Sequence, residues 1–313
     1  MKLEAPFLQL PLFFDAPALA AEVNQLGEAC WRPHPQGYPG NSMLPLIAVN
    51  GEPSDESFAG KMEPTPELLR CSYLMQVLHS LGATLGRTRL MRLAGQAEVT
   101  RHMDQGYYWV DRVRVHVPIV TQPTVRFECG HQTINMAAGE CWIFDTWRQH
   151  RVVNDATQSR IHLVADTVGG DQFWRSVAKG RAIQSGPPAQ PTVRPDVAVR
   201  PALIYEAVNV PKVMSPWEMK AHFALLLGDA LPHARLAEVR QICGHFVRAW
   251  LGVWARSGDD VAALGDYKAL LDKFVAEVRQ PSETILLQNE ILWFRAMGSI
   301  IAKGALSSSY GHG

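Results

Sequence analysis

The sequence predicts an α+β protein: an all-β core of jelly-roll type, flanked by N-terminal helices and followed by an appended C-terminal helical domain. Three observations carry this. Between Arg87 and Asp166 the chain breaks into eight short alternating runs separated by Gly, Pro or Asn: RTRLMRL, EVTRHMD, RVRVHVPIV, TVRFEC, HQTINM, ECWIFD, HRVVND and SRIHLVAD. Eight strands is the count of a jelly roll. Next, Pro187, Pro188, Pro191, Pro195 and Pro201 exclude a continuous helix or central strand over Gln184 to Pro201, which reads as a linker. Beyond it, apolar residues recur at steps of three and four, the period of a helix.

Asp15 followed by Pro17 is a cap and first-turn proline for a short helix with Leu19, Val23 and Leu26 on one side. From Trp31 to Ser57 the Pro/Gly-rich sequence predicts loops, with one strand at Leu44 to Val49. Thr65, Pro66 and Glu67 start a second helix that presents Leu69, Tyr73 and Val77 and ends near Gly82. After the β core a short helical stretch follows Trp174. Ser215, Pro216 and Glu218 form a capping box, and Leu236, Val239, Cys243, Phe246, Trp250 and Val253 make the apolar stripe of a long helix. Another helix is expected over Tyr267 to Val278, then a last one after Pro281 with Leu287, Ile291, Phe294 and Ile301. The tail after Leu306 reads as disordered. The expected division is a β-core domain over 1–183 with its strands at about 87–166, a Pro-rich linker at 184–202 and a helical domain of unassigned role at 203–313.

Thirty basic and thirty acidic side chains cancel, so no overall field attracts nucleic acid or an anionic membrane. Five scattered cysteines without a Cys-x-x-Cys pair argue against a disulfide framework or structural zinc, and for a reducing compartment. The apolar stretch Pro6 to Phe14 lacks a basic leader and is interrupted by Pro11, and no run is long enough to span a bilayer. A cytoplasmic protein is expected.

His102, Asp104 and His150 are the candidate metal ligands. Two imidazoles and one carboxylate on one face of an ion leave the opposite positions open, the arrangement of non-haem Fe(II) oxygenases. His102 and Asp104 lie two apart and so share a strand face. Arg112, Arg114 and His116 likewise share one face while Val113, Val115 and Val117 share the other. The apolar side is expected to meet helices and the basic side to line the interior. Arg160 and His162 repeat the split against Ile161 and Leu163. Buried cations require an anion, and a dicarboxylic keto acid such as 2-oxoglutarate supplies one. Its ketone and adjacent carboxylate chelate the metal, and its distal carboxylate suits a guanidinium. Arg160 is the candidate for that end, Arg114 for a second co-substrate contact, and His116 for an assisting hydrogen-bond donor.

A lone His-x-Asp is a weak signal, and a strand histidine such as His131 or His162 is more often a satisfied core residue than a ligand. Asp145 fits a turn as well as a partner of His150. Tyr107, Tyr108 and Trp109 follow the ligands closely enough to line a pocket, and Tyr107, Trp109 and Arg112 are the candidate substrate contacts. Trp142 and Trp147 read as core. His222, His233 and His245 have no ligand spacing.

The stretch from Arg87 to Asp166, with RHMD, RVRVHVP, AGECWIFD, His150 and SRIHLVAD, resembles the aspartyl/asparaginyl β-hydroxylase family, most of all its proline 3-hydroxylase branch. The resemblance implies a double-stranded β-helix, a cupin-like jelly roll, that uses Fe(II), 2-oxoglutarate and O2 to hydroxylate unactivated carbon. It implies His102, Asp104 and His150 as iron ligands, Arg160 as anchor of the distal carboxylate and Arg114 as a further co-substrate contact. It matches Gly139, Glu140 and Trp142 to a recurring Gly-Glu-x-Trp element, and does not extend past about Trp174. Because Asp104 is kept, the expected acceptor is a small molecule, an amino acid or a derivative of one, and halogenation is disfavoured. The C-terminal helices offer a homodimer surface. The alternative is a cupin-like protein that binds a metal or anion without turnover.

Overall fold

A computed structural model describes residues 1–182 and 192–306. By their contacts these form two units, a β unit of Met1–Asp104 and Asp111–Ala207, and a helical unit of Gln105–Val110 and the chain from Val208 onward.

The β unit begins with β1 (Phe7–Phe14), α1 (Ala16–Asn24), β2 (Arg32–Pro33), β3 (Asn41–Val49), β4 (Met62–Pro64), α2 (Pro66–Leu69) and α3 (Ser72–Ser80). Asp15 caps α1 by accepting from the Ala18 amide, as its position before Ala-Pro predicts. Thr65 caps α2 in the same way. The single helix expected after Thr65 is two, broken at Arg70 and Cys71, so Leu69 falls off the buried face and is 49% exposed. The apolar stretch Phe7–Phe14 is a strand.

The core follows as β5 (Thr84–Leu93), β6 (Ala97–His102), β7 (Val113–Val120), β8 (Val125–Cys129), β9 (Gln132–Ile134), β10 (Glu140–Phe144), β11 (His150–Asn154) and β12 (Arg160–Gly169). Each of the eight runs in the sequence is one of these strands. They alternate between two sheets: β10-β7-β12-β5 lies within the larger sheet, and β6-β11-β8-β9 makes the smaller one. Their pairings are all antiparallel. Two sheets that share successive strands in this way form a double-stranded β-helix.

The two faces of the larger sheet have opposite chemistry, as the alternation predicts. Val113, Val115, Val117, Leu163 and Ala165 pack with Leu19 and Val23 of α1 and with Leu74, Val77 and Leu78 of α3. The other face turns inward, where Phe7, Leu93, Phe127, Phe144 and Trp142 form a second, smaller core. Gly139 explains part of the Gly-Glu-x-Trp element. It sits at φ +85°, and a Cβ there would lie 2.3 Å from the Phe14 carbonyl oxygen. Glu140 then accepts from the Ala137 amide and from Trp142 Nε1, both at 2.8 Å, which holds the indole in the core.

The proline-rich segment is not simply a linker. Residues 183–191 of it lie outside the described residues, but β13 (Thr192–Val193) adds in parallel to β1. Gln76 donates to the Asp196 and Val199 carbonyls, so a side-chain amide meets backbone groups that prolines leave out of any ladder. Then β14 (Ile204–Tyr205) pairs with β5, and the β unit ends at Ala207 rather than near 183. A short α5 (Asp171–Ala178) precedes the segment, starting before Trp174.

The helical unit contains a one-turn helix (Tyr107–Val110), a 14-residue helix (Pro216–Asp229), a 22-residue helix (Leu236–Ser257) and a 19-residue helix (Leu264–Ser282). Ser215 caps the second of these through the Glu218 amide. Phe246 and Phe274 stack at 4.2 Å between ring centroids, and Trp250 Nε1 donates to the Met214 carbonyl at 2.9 Å. Pro281 lies inside the 19-residue helix rather than ahead of a new one. Leu287 forms an isolated antiparallel bridge with Ala230 and Ile291 lies outside any helix, and among the described residues only Trp293–Met297 and the wider π-turn at Gly298–Ala302 are helical after it. Among the described residues no helix is long and apolar enough to cross a membrane. The tail from residue 307, expected to be disordered, lies outside the described residues.

Candidate metal and co-substrate site

His102 ends β6, Asp104 lies two residues past the strand rather than on its face, and His150 opens β11, the strand beside it. His102 and His150 are direct cross-strand partners, so antiparallel register alone brings the two imidazoles to 4.2 Å between centroids. With Asp104 they offer three ligand atoms within 4.8 Å of one another. Each imidazole is oriented by its own turn. His102 Nδ1 lies 2.7 Å from the Thr100 carbonyl and His150 Nδ1 lies 3.0 Å from the Arg148 carbonyl. A carbonyl only accepts, so Nδ1 carries the proton and Nε2 keeps its lone pair for a metal.

Asp145 is a turn residue. Its carboxylate accepts from the Trp147 amide at 2.9 Å and from Arg148 Nε at 3.0 Å. It thereby shapes the turn whose carbonyl holds His150, without touching His150 itself.

Burial pushes the Asp104 carboxyl up, but Arg114, His150 and His102 outweigh it and leave it below its ordinary value. Burial pushes His150 down to about 4 against the pull of Asp104. At neutral pH His150 is therefore a neutral imidazole and Asp104 a carboxylate, the forms in which each binds a divalent metal. Linkage gives the sign of a pH effect. As pH falls through the ordinary value of 6.5, the unfolded chain takes up a proton that folded His150 refuses until about 4. Stability of the metal-free protein is thus whole above 6.5 and is lost towards pH 4, by roughly 3 kcal/mol from this residue. Urea midpoints at pH 7.5, 6 and 5 test this, and a flat profile would contradict a buried neutral imidazole.

Arg114, expected at the co-substrate, sits on two carboxylates. Its Nε donates to Asp166 Oδ1 at 2.9 Å, and its Nη1 lies 3.0 Å from Asp104 Oδ2, close enough for an ion pair though not aligned as a hydrogen bond. Asp166 is the cross-strand neighbour of Arg114 and is fully buried. Arg89 approaches the same carboxylate at 3.9 Å. Arg114 thus steadies a metal ligand.

Arg160 is 4% exposed, and its Nε and Nη1 have no hydrogen-bond partner among the described residues. Burial pushes its guanidinium down to about 10. His116 and His162, 5% and 2% exposed, share the interior with it, and burial together with Arg160 holds both well below the ordinary histidine value. Ring contacts connect this end to the metal ligands: His162 to His116 at 5.7 Å, His116 to Phe144 at 5.3 Å, and Phe144 to His150 at 4.9 Å between centroids.

The residues expected at the substrate have partners within the protein. Arg112 is buried in a bidentate pair with Glu206, from Nε to Oε1 at 2.9 Å and from Nη2 to Oε2 at 2.9 Å. Glu206 follows β14, whose pairing with β5 nothing in the local sequence announces. Replacing Arg112 with Met should cost about 3–5 kcal/mol by stranding Glu206, and Arg112→Met with Glu206→Leu should recover most of it. Denaturant unfolding measures this. A changed acceptor KM at unchanged stability would instead restore the substrate role. Tyr107 belongs to the helical unit, where its hydroxyl donates to Glu218 Oε1 at 2.5 Å. Trp109 is in the same one-turn helix, edge-on to Tyr108.

Sequence reasoning passed over Asp166, Arg89 and His162, all of which lie on inward strand positions that alternation marks. His34, in the loop after β2, lies outside any strand. Burial and the charges of Arg89, Arg87 and Arg114 push it down to about 4, and no motif pointed to its loop.

The donor set fits a divalent first-row metal with an open face, and the orphaned nitrogens of Arg160 fit the anionic end of a co-substrate. Residues 57–169 match the family model described as Aspartyl/Asparaginyl beta-hydroxylase. No curated protein matches the chain. Solved structures similar to it include a 2OG-Fe(II) oxygenase family oxidoreductase from Burkholderia pseudomallei, at 15% identity over 54% of this chain and 88% of that one, with a TM-score of 0.36. A Pseudomonas putida prolyl-4-hydroxylase is similar at 17% identity over 52% and 92%, with a TM-score of 0.36. A Streptomyces hygroscopicus protein with nickel and 2-oxoglutarate bound is similar at 12% identity over 52% and 82%, with a TM-score of 0.35. The segment that matches this family model, residues 57–169, contains the His-Asp-His triad and Arg160.

Proposed function

We propose that this chain is a 2-oxoglutarate-dependent non-haem iron dioxygenase that hydroxylates an unactivated carbon of an amino acid or amino-acid-derived small molecule, releasing succinate and CO2. The single observation that carries the reading is a buried guanidinium without a partner in the interior that also holds a His-Asp-His triad. A metal-storage protein has no use for the first.

His102, Asp104 and His150 would hold Fe(II), which when bound supplies the oxidising chemistry that couples decarboxylation of 2-oxoglutarate to hydroxylation. The chain's own residues bind and orient. The Thr100 and Arg148 carbonyls fix the imidazole tautomers. Arg114 keeps Asp104 charged and in place. Arg160, buried on the same face of β12 as His162, would receive the distal carboxylate. No side chain is required to exchange a proton with the acceptor, so the protein contributes positioning rather than acid–base catalysis.

Two measurements test this. Anaerobic addition of Fe(II) and 2-oxoglutarate should produce a weak visible charge-transfer band, and a screen of amino acids and their derivatives should find one that stimulates 2-oxoglutarate decarboxylation. Neither a band nor succinate on admitting O2 would leave the cupin-like binding protein as the better reading.

A further inference from the structure

Among the described residues, four buried nitrogens on one side of the interior have no hydrogen-bond partner: Arg160 Nε and Nη1, His116 Nε2 and His162 Nε2. Such orphans are costly, and native proteins hold few of them. Four gathered on neighbouring strands point to a ligand that meets the donors among them. Arg160 and His162 are two apart on β12 and therefore share its face. His116 comes from β7, the adjacent strand.

The two histidines are not independent. His116 Nδ1 and His162 Nδ1 face each other at 3.4 Å, a long contact. Both rings are neutral, since burial and Arg160 oppose their protonation. A neutral pair meeting through Nδ1 must have complementary tautomers: one Nδ1 donates and the other accepts. The accepting ring then carries its proton on Nε2, and the donating ring has a bare Nε2. The pair presents one N–H and one lone pair to the cavity, never two donors. The surroundings choose between the rings. Phe127 and Phe144 bracket His116, each at 5.3 Å, and offer it no polar partner, whereas His162 lies along the strand from Arg160.

We propose that His162 binds the distal carboxylate of 2-oxoglutarate beside Arg160, donating from Nε2 while His116 donates to its Nδ1 and so sets the tautomer. The assignment rests on the co-substrate reading above. It makes His162 a binding residue and His116 a positioning residue, and it gives the carboxylate a neutral donor in addition to the charged fork of Arg160.

The experiment is anaerobic calorimetric titration of the Fe(II)-loaded protein with 2-oxoglutarate and, in parallel, with 2-oxopentanoate. The second ligand has the same ketone and adjacent carboxylate but no distal carboxylate. His162→Leu is expected to weaken 2-oxoglutarate by about ten- to a hundredfold and to leave 2-oxopentanoate within about twofold. His162→Gln, whose amide nitrogen reaches the Nε2 position, should recover part of the loss, and His162→Asn, which reaches only Nδ1, should not. Should the Leu variant fail to fold, the Gln and Asn pair makes the same comparison. Equal losses for both keto acids, or none, overturn the role of His162 while wild-type binding leaves the co-substrate reading standing. A wild-type protein that binds neither ligand overturns both.

Discussion

Replacing Arg160 with Met is expected to make the ligand-free protein more stable and nearly useless. The guanidinium is 4% exposed, two of its nitrogens lack partners, and burial alone lowers its pKa to about 10. A charge held in that condition destabilises the fold. Exchanging buried ionic groups for apolar ones of similar volume is often neutral or stabilising by about 1–4 kcal/mol, and Met fills most of the same space. The same change removes the only charged partner for the distal carboxylate, and truncating one side of a buried charge pair costs about 2–5 kcal/mol of binding. That is roughly thirty- to several-thousandfold in 2-oxoglutarate affinity. Denaturant unfolding without ligand and anaerobic titration with ligand read the two effects separately. Loss of both stability and binding would mean that Arg160 is a structural residue.

The second large effect concerns the triad and is a ranking. His150→Ala and Asp104→Ala should abolish 2-oxoglutarate turnover, with Fe(II) affinity falling by more than about a hundredfold, because each removes a ligand. Arg114→Met should cost less, about ten- to a hundredfold in metal affinity, which is the usual scale for a group that orients a ligand. The pairing of Arg114 with Asp104 and Asp166 is the reason to expect it there. If Arg114→Met leaves the metal in place and weakens 2-oxoglutarate instead, the guanidinium serves the co-substrate, as the family resemblance implies. Metal titration followed by co-substrate titration on one sample separates the cases.

The strands were legible because their signals are local. Alternation in RVRVHVPIV and SRIHLVAD tells which side chains face together, and Gly, Pro and Asn mark the turns. The inward face of β7 and β12 could therefore be written down from the sequence. The strand Phe7–Phe14 was hidden, because its apolar residues do not alternate with polar ones and none of its positions is exposed. The helix break at Arg70 and Cys71 and the continuation of a helix through Pro281 were likewise invisible, since tertiary packing overrode the local rule in both.

The sequence by itself indicated the jelly-roll strands, the three candidate metal ligands and the arginine after them, since each rests on side-chain type and strand alternation. Only the tertiary structure decided who partners whom among the cations. Arg112 and Arg114 lie on one face two residues apart, yet Arg112 is buried against Glu206, 94 positions away, while Arg114 holds Asp166 and a metal ligand. Register between strands distant in the chain assigns those carboxylates. Among the described residues Arg160 is left with none, which a fold can show and a sequence cannot.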